Sequence, residues 1–408
     1  MTDRRKLQQF HPFARLNRLL DDVPPGDPKV AANGQPPGAP ILLSVGEPQH
    51  RPPAFVAEEL AKAAAGWGRY PPPRGTPEYC RACAAWLVRR YGLPEGMIDP
   101  ASMILPLPGT REGLFFAALA ATPADGAAPA GGGRPAVLLP NPFYHVYAGA
   151  AAAAGAEPVF VAATRETGFL PDYAGLAPGV LARATLCYFC SPSNPQGAAA
   201  DLERLQALIV LARRYDFTVA FDECYAEIYT GTPPAGALQA AVALGGGLDN
   251  MLVFHSLSKR SSAPGLRCGF AVGEPDRIAA LDGILRVGGA GVPLPVLAAG
   301  TRLWREDSHA AANRARYLDN FAVAERVLGN RFGFRKPAGA FFLWLDVGDG
   351  EAAALELWRA AGIRVLPGAY MCEAGADGAN PGASYIRVAL VYDAALTEAA
   401  LDRIAEVL

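Results

Sequence analysis

Short, continuous apolar runs recur through the first three-quarters of the chain, each closed by turn formers and followed by a helical pattern. They are MILPLP (103–108), AVLLPNP (136–142), PVFVAA (158–163), LCYFC (186–190), TVAF (218–221) and MLVFHS (251–256). Runs of this length without polar alternation suit strands buried on both faces. Strands alternating with helices predict an α/β fold with a mostly parallel sheet between helical layers. Beyond about position 295 the pattern changes. A long helical stretch, VLAAGTRLWREDSHAAANRARYLDNFAVAERVLG, leads to FFLWLDV, a further helix, IRVLPG and the alternating strand SYIRVALV. This predicts a smaller α+β domain over 296–408 beside a large domain over 56–295, with the N-terminal segment, 1–55, packing on the smaller one. Pro/Gly-rich stretches at 21–40 and 123–135 read as loops or linkers.

At 408 residues the chain exceeds what one hydrophobic core usually serves, which agrees with two domains. A net charge of −2 with 51% hydrophobic residues excludes a disordered chain and gives no nucleic-acid footprint. The basic start, MTDRRKLQQFHPF, has no apolar segment behind it, and the Ala-rich runs are broken by Gly, Pro or charge. The expectation is a cytoplasmic protein with no membrane segment. The seven cysteines include the C-x-x-C pairs Cys80/Cys83 and Cys187/Cys190. The first pair lies in a helical pattern and the second in a strand, where a spacing of three points the side chains to opposite faces. Buried thiols are expected here, not a metal site.

Ligands of open α/β sheets sit at the carboxyl ends of the strands. Four groups of polar residues fall there: Gly109-Thr110-Arg111, Asn194, Asp222 with Tyr225, and Lys259. Asp222 ends a buried strand, where an unpaired carboxylate costs several kcal/mol, roughly an ion's desolvation penalty, so a cationic partner is expected. Lys259 has the same problem with opposite sign, and a desolvated lysine is a nucleophile for carbonyls. Ser256, Ser258, Thr110 and Arg267 suit a phosphate dianion, and Gly109 lets backbone N–H groups at a helix start approach it. A carbonyl-bearing cofactor with a phosphate and a ring nitrogen would use all of these groups; pyridoxal phosphate is such a cofactor.

SLSKRSSAPGLRCG (256–269), DECY (222–225) and SPSNPQG (191–197) together resemble the signature of the class I/II, fold-type-I pyridoxal-phosphate aminotransferases, with Gln196 where that family usually has threonine. The resemblance extends from SVGEP (44–48) to YIRVALV (385–391) and implies a seven-stranded-type sheet. It further implies that Lys259 bonds the cofactor and shuttles the substrate proton. Asp222 would pair with the ring nitrogen, while Tyr225 and Asn194 donate to the phenolic oxygen. Ser256, Ser258, Arg267 and the N–H groups of Thr110 and Arg111 would hold the phosphate, and Tyr144 would stack on the ring. Tyr70 would reach the phosphate of a partner subunit, which implies a homodimer with shared sites. Arg387, with the backbone of Gly46, would receive the substrate α-carboxylate.

The substrates implied are amino acids and 2-oxo acids. Arg111 is the candidate reader of a distal carboxylate, and the glycine-rich RVGGAGVP (286–293) leaves room for a long substrate. Taken over segments such as HPFARLNRLL, RYPPPRGTPE and LPNPFYHVYAGAA, the chain resembles N-succinyl-diaminopimelate aminotransferases of proteobacteria. The alternatives are an aspartate, alanine or aromatic aminotransferase of broad specificity, or a pyridoxal-phosphate β-lyase.

Overall fold

Six of the apolar runs become strands of one sheet in a computed structural model that describes residues 11–30, 36, 38–123 and 132–408. Most of the 123–135 stretch, part of 21–40 and the first ten residues lie outside the described residues. The strands are β1 (Ile104–Leu107), β2 (Ala136–Asn141), β3 (Glu157–Ala162), β4 (Ala184–Cys190), β5 (Thr218–Asp222), β6 (Met251–Ser256) and β7 (Gly269–Gly273). Their order is β1-β7-β6-β5-β4-β2-β3. Six run one way, and β7 lies antiparallel between β1 and β6. Apolar residues at every position are explained by the two cores. Leu138, Val219, Phe221 and Val253 face one, while Leu139, Ala220, Leu252 and Phe254 face the other.

β7 has no counterpart among the strands expected from sequence. GFAVG is short and bounded by glycines that read as turn residues. The glycines serve close approach instead: a Cβ on Gly269 would lie 2.6 Å from the His255 carbonyl oxygen, and one on Gly273 2.4 Å from that of Met251.

The sheet is flanked by helices, among them α2 (Phe55–Lys62), α3 (Pro77–Tyr91), α4 (Thr110–Ala121) and α5 (His145–Ala153), while α1 (Pro12–Leu20) packs on the smaller domain. Cys80 and Cys83 of α3 are buried, as are Cys187 and Cys190 of β4. The long helical pattern is two helices, Leu294–Arg305 and Ser308–Leu328. Leu297, Leu303 and Trp304 of the first pack into the large-sheet core, while Tyr317 and Phe321 of the second pack into the smaller one. Position 295/296, the boundary expected from sequence, falls inside the first helix.

The smaller sheet is antiparallel and contains β8 (Phe342–Asp346), β9 (Leu366–Pro367) and β10 (Tyr385–Ala389) in the order β9-β10-β8. Helices Gly350–Ala361 and Ala394–Val407 complete its core. α1 sets Leu16 and Leu20 against Leu366, Tyr370 and Met371. Among the described residues no helix is long and apolar enough to cross a membrane.

Candidate active site

The carboxyl ends of β1, β2, β4, β5 and β6 open onto one cavity of about 590 Å³, which the smaller domain also borders through Arg387 and Phe342. Its walls bring together Gly46, Thr110, Arg111, Tyr144, Asn194, Asp222, Tyr225, Ser256, Ser258, Lys259, Arg267 and Arg387. Gly109 is just behind, against Arg267, and Tyr70 stands apart, fully exposed.

Lys259 rides on the four-residue helix Leu257–Arg260, whose start is capped by Ser256 Oγ accepting from the Ser258 N–H at 3.1 Å. Its Nζ donates to the Gly46 carbonyl at 2.5 Å. Burial pulls the ammonium down to about 8, against the opposing pull of Cys224 and Glu47. A neutral, nucleophilic amine is thereby within reach near neutral pH.

Asp222 closes the floor. Among the described residues no Lys, Arg or His pairs with it, so the chain's own side chains do not supply the cationic partner expected from sequence. The Tyr147 hydroxyl donates to Oδ2 at 2.6 Å and the Cys224 N–H to Oδ1 at 3.3 Å. A buried carboxylate held by two neutral donors, with an open cavity before it, fits the protonated nitrogen of a pyridine ring. Tyr147 is the functional residue that sequence reasoning missed. It lies three positions beyond Tyr144 at the start of α5, on the same side of the helix, and Asp222's need for a partner was the available signal.

At the opposite end Gly109, with φ +89°, caps α4 and turns the first N–H groups of that helix toward the cavity. Ser256 and Ser258 place their hydroxyls 2.9 Å apart. The Arg267 guanidinium donates to the carbonyls of Pro264 and Pro108, both at 3.1 Å, and approaches Glu112 at 3.2 Å. A twelve-residue helix start, two hydroxyls and a guanidinium form a cradle for a phosphate dianion. Lys259 lines the same cavity as both ends, so the residues fit pyridoxal phosphate: amine, carboxylate and dianion site face one space.

Arg387 is the second buried charge. Nη1 donates to Asn194 Oδ1 at 2.9 Å and Nη2 to the Ser44 carbonyl at 2.6 Å, while Nε is buried without a protein partner. Its plane lies 4.4 Å from the Phe342 ring centre, and burial lowers it to about 10. Among the described residues no carboxylate pairs with it, so the guanidinium is free for an incoming one. Tyr225 is buried with its ring edge-on to Phe341 and Phe342. Arg111 stands at the mouth, where its Nε donates to the Tyr144 hydroxyl at 2.9 Å.

Residues 39–408 match the family model of aminotransferase class I and II. The chain is 33% identical over 350 residues to the 4-dedimethylamino-4-oxo-anhydrotetracycline transaminase of Streptomyces rimosus, covering 85% of this chain and 88% of that one. It is 32% identical over 371 residues to the LL-diaminopimelate aminotransferase of Syntrophobacter fumaroxidans, covering 88% and 89%. Among solved structures, an aminotransferase of Neisseria meningitidis superposes with a TM-score of 0.87 at 35% identity, covering 97% of this chain and 96% of that one. A probable N-succinyldiaminopimelate aminotransferase of Thermus thermophilus superposes with a TM-score of 0.80 at 25% identity, covering 91% and 95%. With the match spanning both sheets and every candidate site residue of the cavity from Gly46 to Arg387, the chain belongs to the class I and II aminotransferases, a pyridoxal-phosphate-dependent family that exchanges amino groups between amino acids and 2-oxo acids.

Proposed function

We propose that the protein transfers the amino group of glutamate to N-succinyl-2-amino-6-oxopimelate, forming N-succinyl-LL-2,6-diaminopimelate in lysine biosynthesis, as a cytoplasmic homodimer with shared sites. The observation that carries this reading is a pair of guanidinium groups on one cavity: Arg387 buried inside without a carboxylate partner and Arg111 at the mouth. Such a pair suits a long substrate with a carboxylate at each end. The likeness to the Thermus thermophilus protein supports the succinylated form. The relatives named for LL-diaminopimelate favour a second reading, in which the unacylated amino acid is the substrate.

Pyridoxal phosphate supplies an aldehyde for the substrate amine and an electron-withdrawing ring next to the substrate Cα. In this reading the chain provides position and proton control. Arg387 fixes the α-carboxylate, with Asn194 keeping the guanidinium in plane. Lys259 Nζ, buried and drawn toward its neutral form, would take up and carry the proton at the substrate Cα. Asp222 would hold the ring nitrogen protonated, Tyr225 and Asn194 would donate to the ring's phenolic oxygen, and Tyr144 would cover a ring face. Thr110, Arg111, Ser256, Ser258 and Arg267 would anchor the phosphate, joined by Tyr70 of a second copy.

The test is a half-reaction screen that follows cofactor absorbance on mixing with N-succinyl-LL-diaminopimelate, LL-diaminopimelate, glutamate, aspartate, alanine and aromatic amino acids. Conversion by the succinylated amino acid at least about tenfold more efficient than by LL-diaminopimelate is expected, which corresponds to about 1.4 kcal/mol of discrimination. Equal efficiency across the panel would refute the substrate assignment, and 2-oxo acid and ammonia formed over many turnovers without an amino acceptor, beyond one equivalent of enzyme, would mark a β-lyase.

A further inference from the structure

Arg387 and the phosphate cradle account for the inner half of the cavity but leave its outer wall unexplained. That wall is built from Phe13 of α1, Phe143, His145 at the start of α5 and Met371 beside the smaller sheet, with Arg111 on the rim. Three tethers hold it in one arrangement. The Phe143 N–H donates to the Met371 carbonyl at 2.9 Å, and Asn141 exchanges two hydrogen bonds with the Glu373 backbone, at 2.8 and 3.1 Å. The His11 ring lies 5.0 Å from that of His145, so α1 touches both the smaller core through Leu16 and the large domain through His11.

The chemistry of this wall is mixed in a specific way. Phe13, Phe143 and Met371 offer apolar surface to methylenes. His145 is half-buried, and burial, with the charges of His11, Arg111 and Arg387, pulls its imidazole down to about 4, so the ring is neutral at neutral pH. A neutral imidazole exchanges hydrogen bonds with an amide but does not attract a carboxylate as a cation does. The ring lines the same cavity as both guanidiniums, Arg387 inside and Arg111 on the rim.

We propose that α1 and His145 form a distal specificity subsite for an acylated side chain, in which Phe13 and Met371 pack on methylenes, His145 hydrogen-bonds an amide and Arg111 takes the terminal carboxylate. This deepens the substrate reading above and rests on it for the identity of the acyl group. It predicts that specificity for long substrates resides partly in α1, an element far in sequence from every motif that binds the cofactor.

The experiment uses the full-length, cofactor-loaded protein and the variants Phe13→Ala and His145→Ala. The readout is a ratio: kcat/KM for N-succinyl-LL-diaminopimelate over kcat/KM for glutamate. Each variant is expected to lower this ratio about tenfold, the size of one lost polar or apolar contact in a pocket. Because both reactions share one protein preparation, partial misfolding lowers both rates and leaves the ratio unmoved. Ratios within about twofold of the unaltered protein in both variants overturn the subsite. If the unaltered protein itself does not favour the succinylated amino acid, the substrate assignment fails separately. The subsite is then judged in Phe13→Ala by the same ratio for 2-oxopimelate, which offers methylenes to this wall, over 2-oxoglutarate, where a tenfold fall supports it and an unchanged ratio overturns it.

Discussion

Asp222 is a buried carboxylate whose protein partners are a phenol and a backbone N–H, and the phenol is what fixes its direction. Tyr147 is stacked on Tyr188 at 4.3 Å with 9° between planes, so Tyr147→Phe removes the hydroxyl and keeps the packing. A hydrogen bond to a charged acceptor contributes roughly 1.5–3 kcal/mol, which bounds the loss at about a hundredfold. We expect the half-reaction rate to fall about tenfold, measured by stopped-flow absorbance. A rate within twofold of the unaltered protein would show that Asp222 does not depend on this donor. Lys259, Asp222 and Arg387 were legible in the sequence because a lone charge at the end of, or within, an apolar strand is anomalous on physical grounds. Tyr147 was not, since a tyrosine in an Ala-rich helix has the same appearance whether it fills a core or orients a carboxylate. The neutral donors to Asp222 were hidden for the same reason: which side chain reaches the carboxylate depends on how the fold sets Tyr147 of α5 against the end of β5.

The turn from β1 into α4 shows how a single backbone conformation shapes the phosphate cradle. Gly109 has φ +89°, and a Cβ there would sit 2.3 Å from Arg267 Nη2. Gly109→Ala therefore adds left-handed strain of roughly 1–3 kcal/mol and displaces the guanidinium. The expected result is a rise of about tenfold or more in the Kd for pyridoxal phosphate, read by absorbance titration of the cofactor-free protein. Unchanged affinity would mean that Arg267 can leave the cradle at no cost. Most strands and helices were visible in the hydrophobic pattern because burial on both faces leaves an unbroken apolar run. β7 escaped because its close approach to β6 requires glycines, the residues that also announce turns. The break at Glu306–Asp307 escaped because the helical period continues on both sides while the two halves serve different cores.

Tyr70 is fully exposed, Val287 is 90% exposed and Trp67 55%, an unusual concentration of large apolar side chains in water. They belong to neighbouring segments: Gly66 packs against Leu294 and Pro295, and Gly291 against Pro71. Contiguous exposed apolar surface of this kind marks a protein interface, and covering each side chain contributes roughly 1.5–3 kcal/mol. A second copy of the chain would bury this surface and bring Tyr70 toward the phosphate cradle of its partner. Sedimentation velocity at micromolar concentration is expected to give a dimer. The double variant Trp67→Asp, Val287→Asp is expected to shift the species toward monomer and to weaken cofactor binding. Tyr70→Phe separates the two roles of the patch. It keeps the apolar ring and so keeps the dimer, but removes the hydroxyl available to the partner's phosphate, which should raise the cofactor Kd about fivefold to tenfold, the size of one hydrogen bond. A dimeric Tyr70→Phe protein with unchanged Kd would assign Tyr70 to the interface alone, and a double variant that remains fully dimeric would exclude this face as the interface.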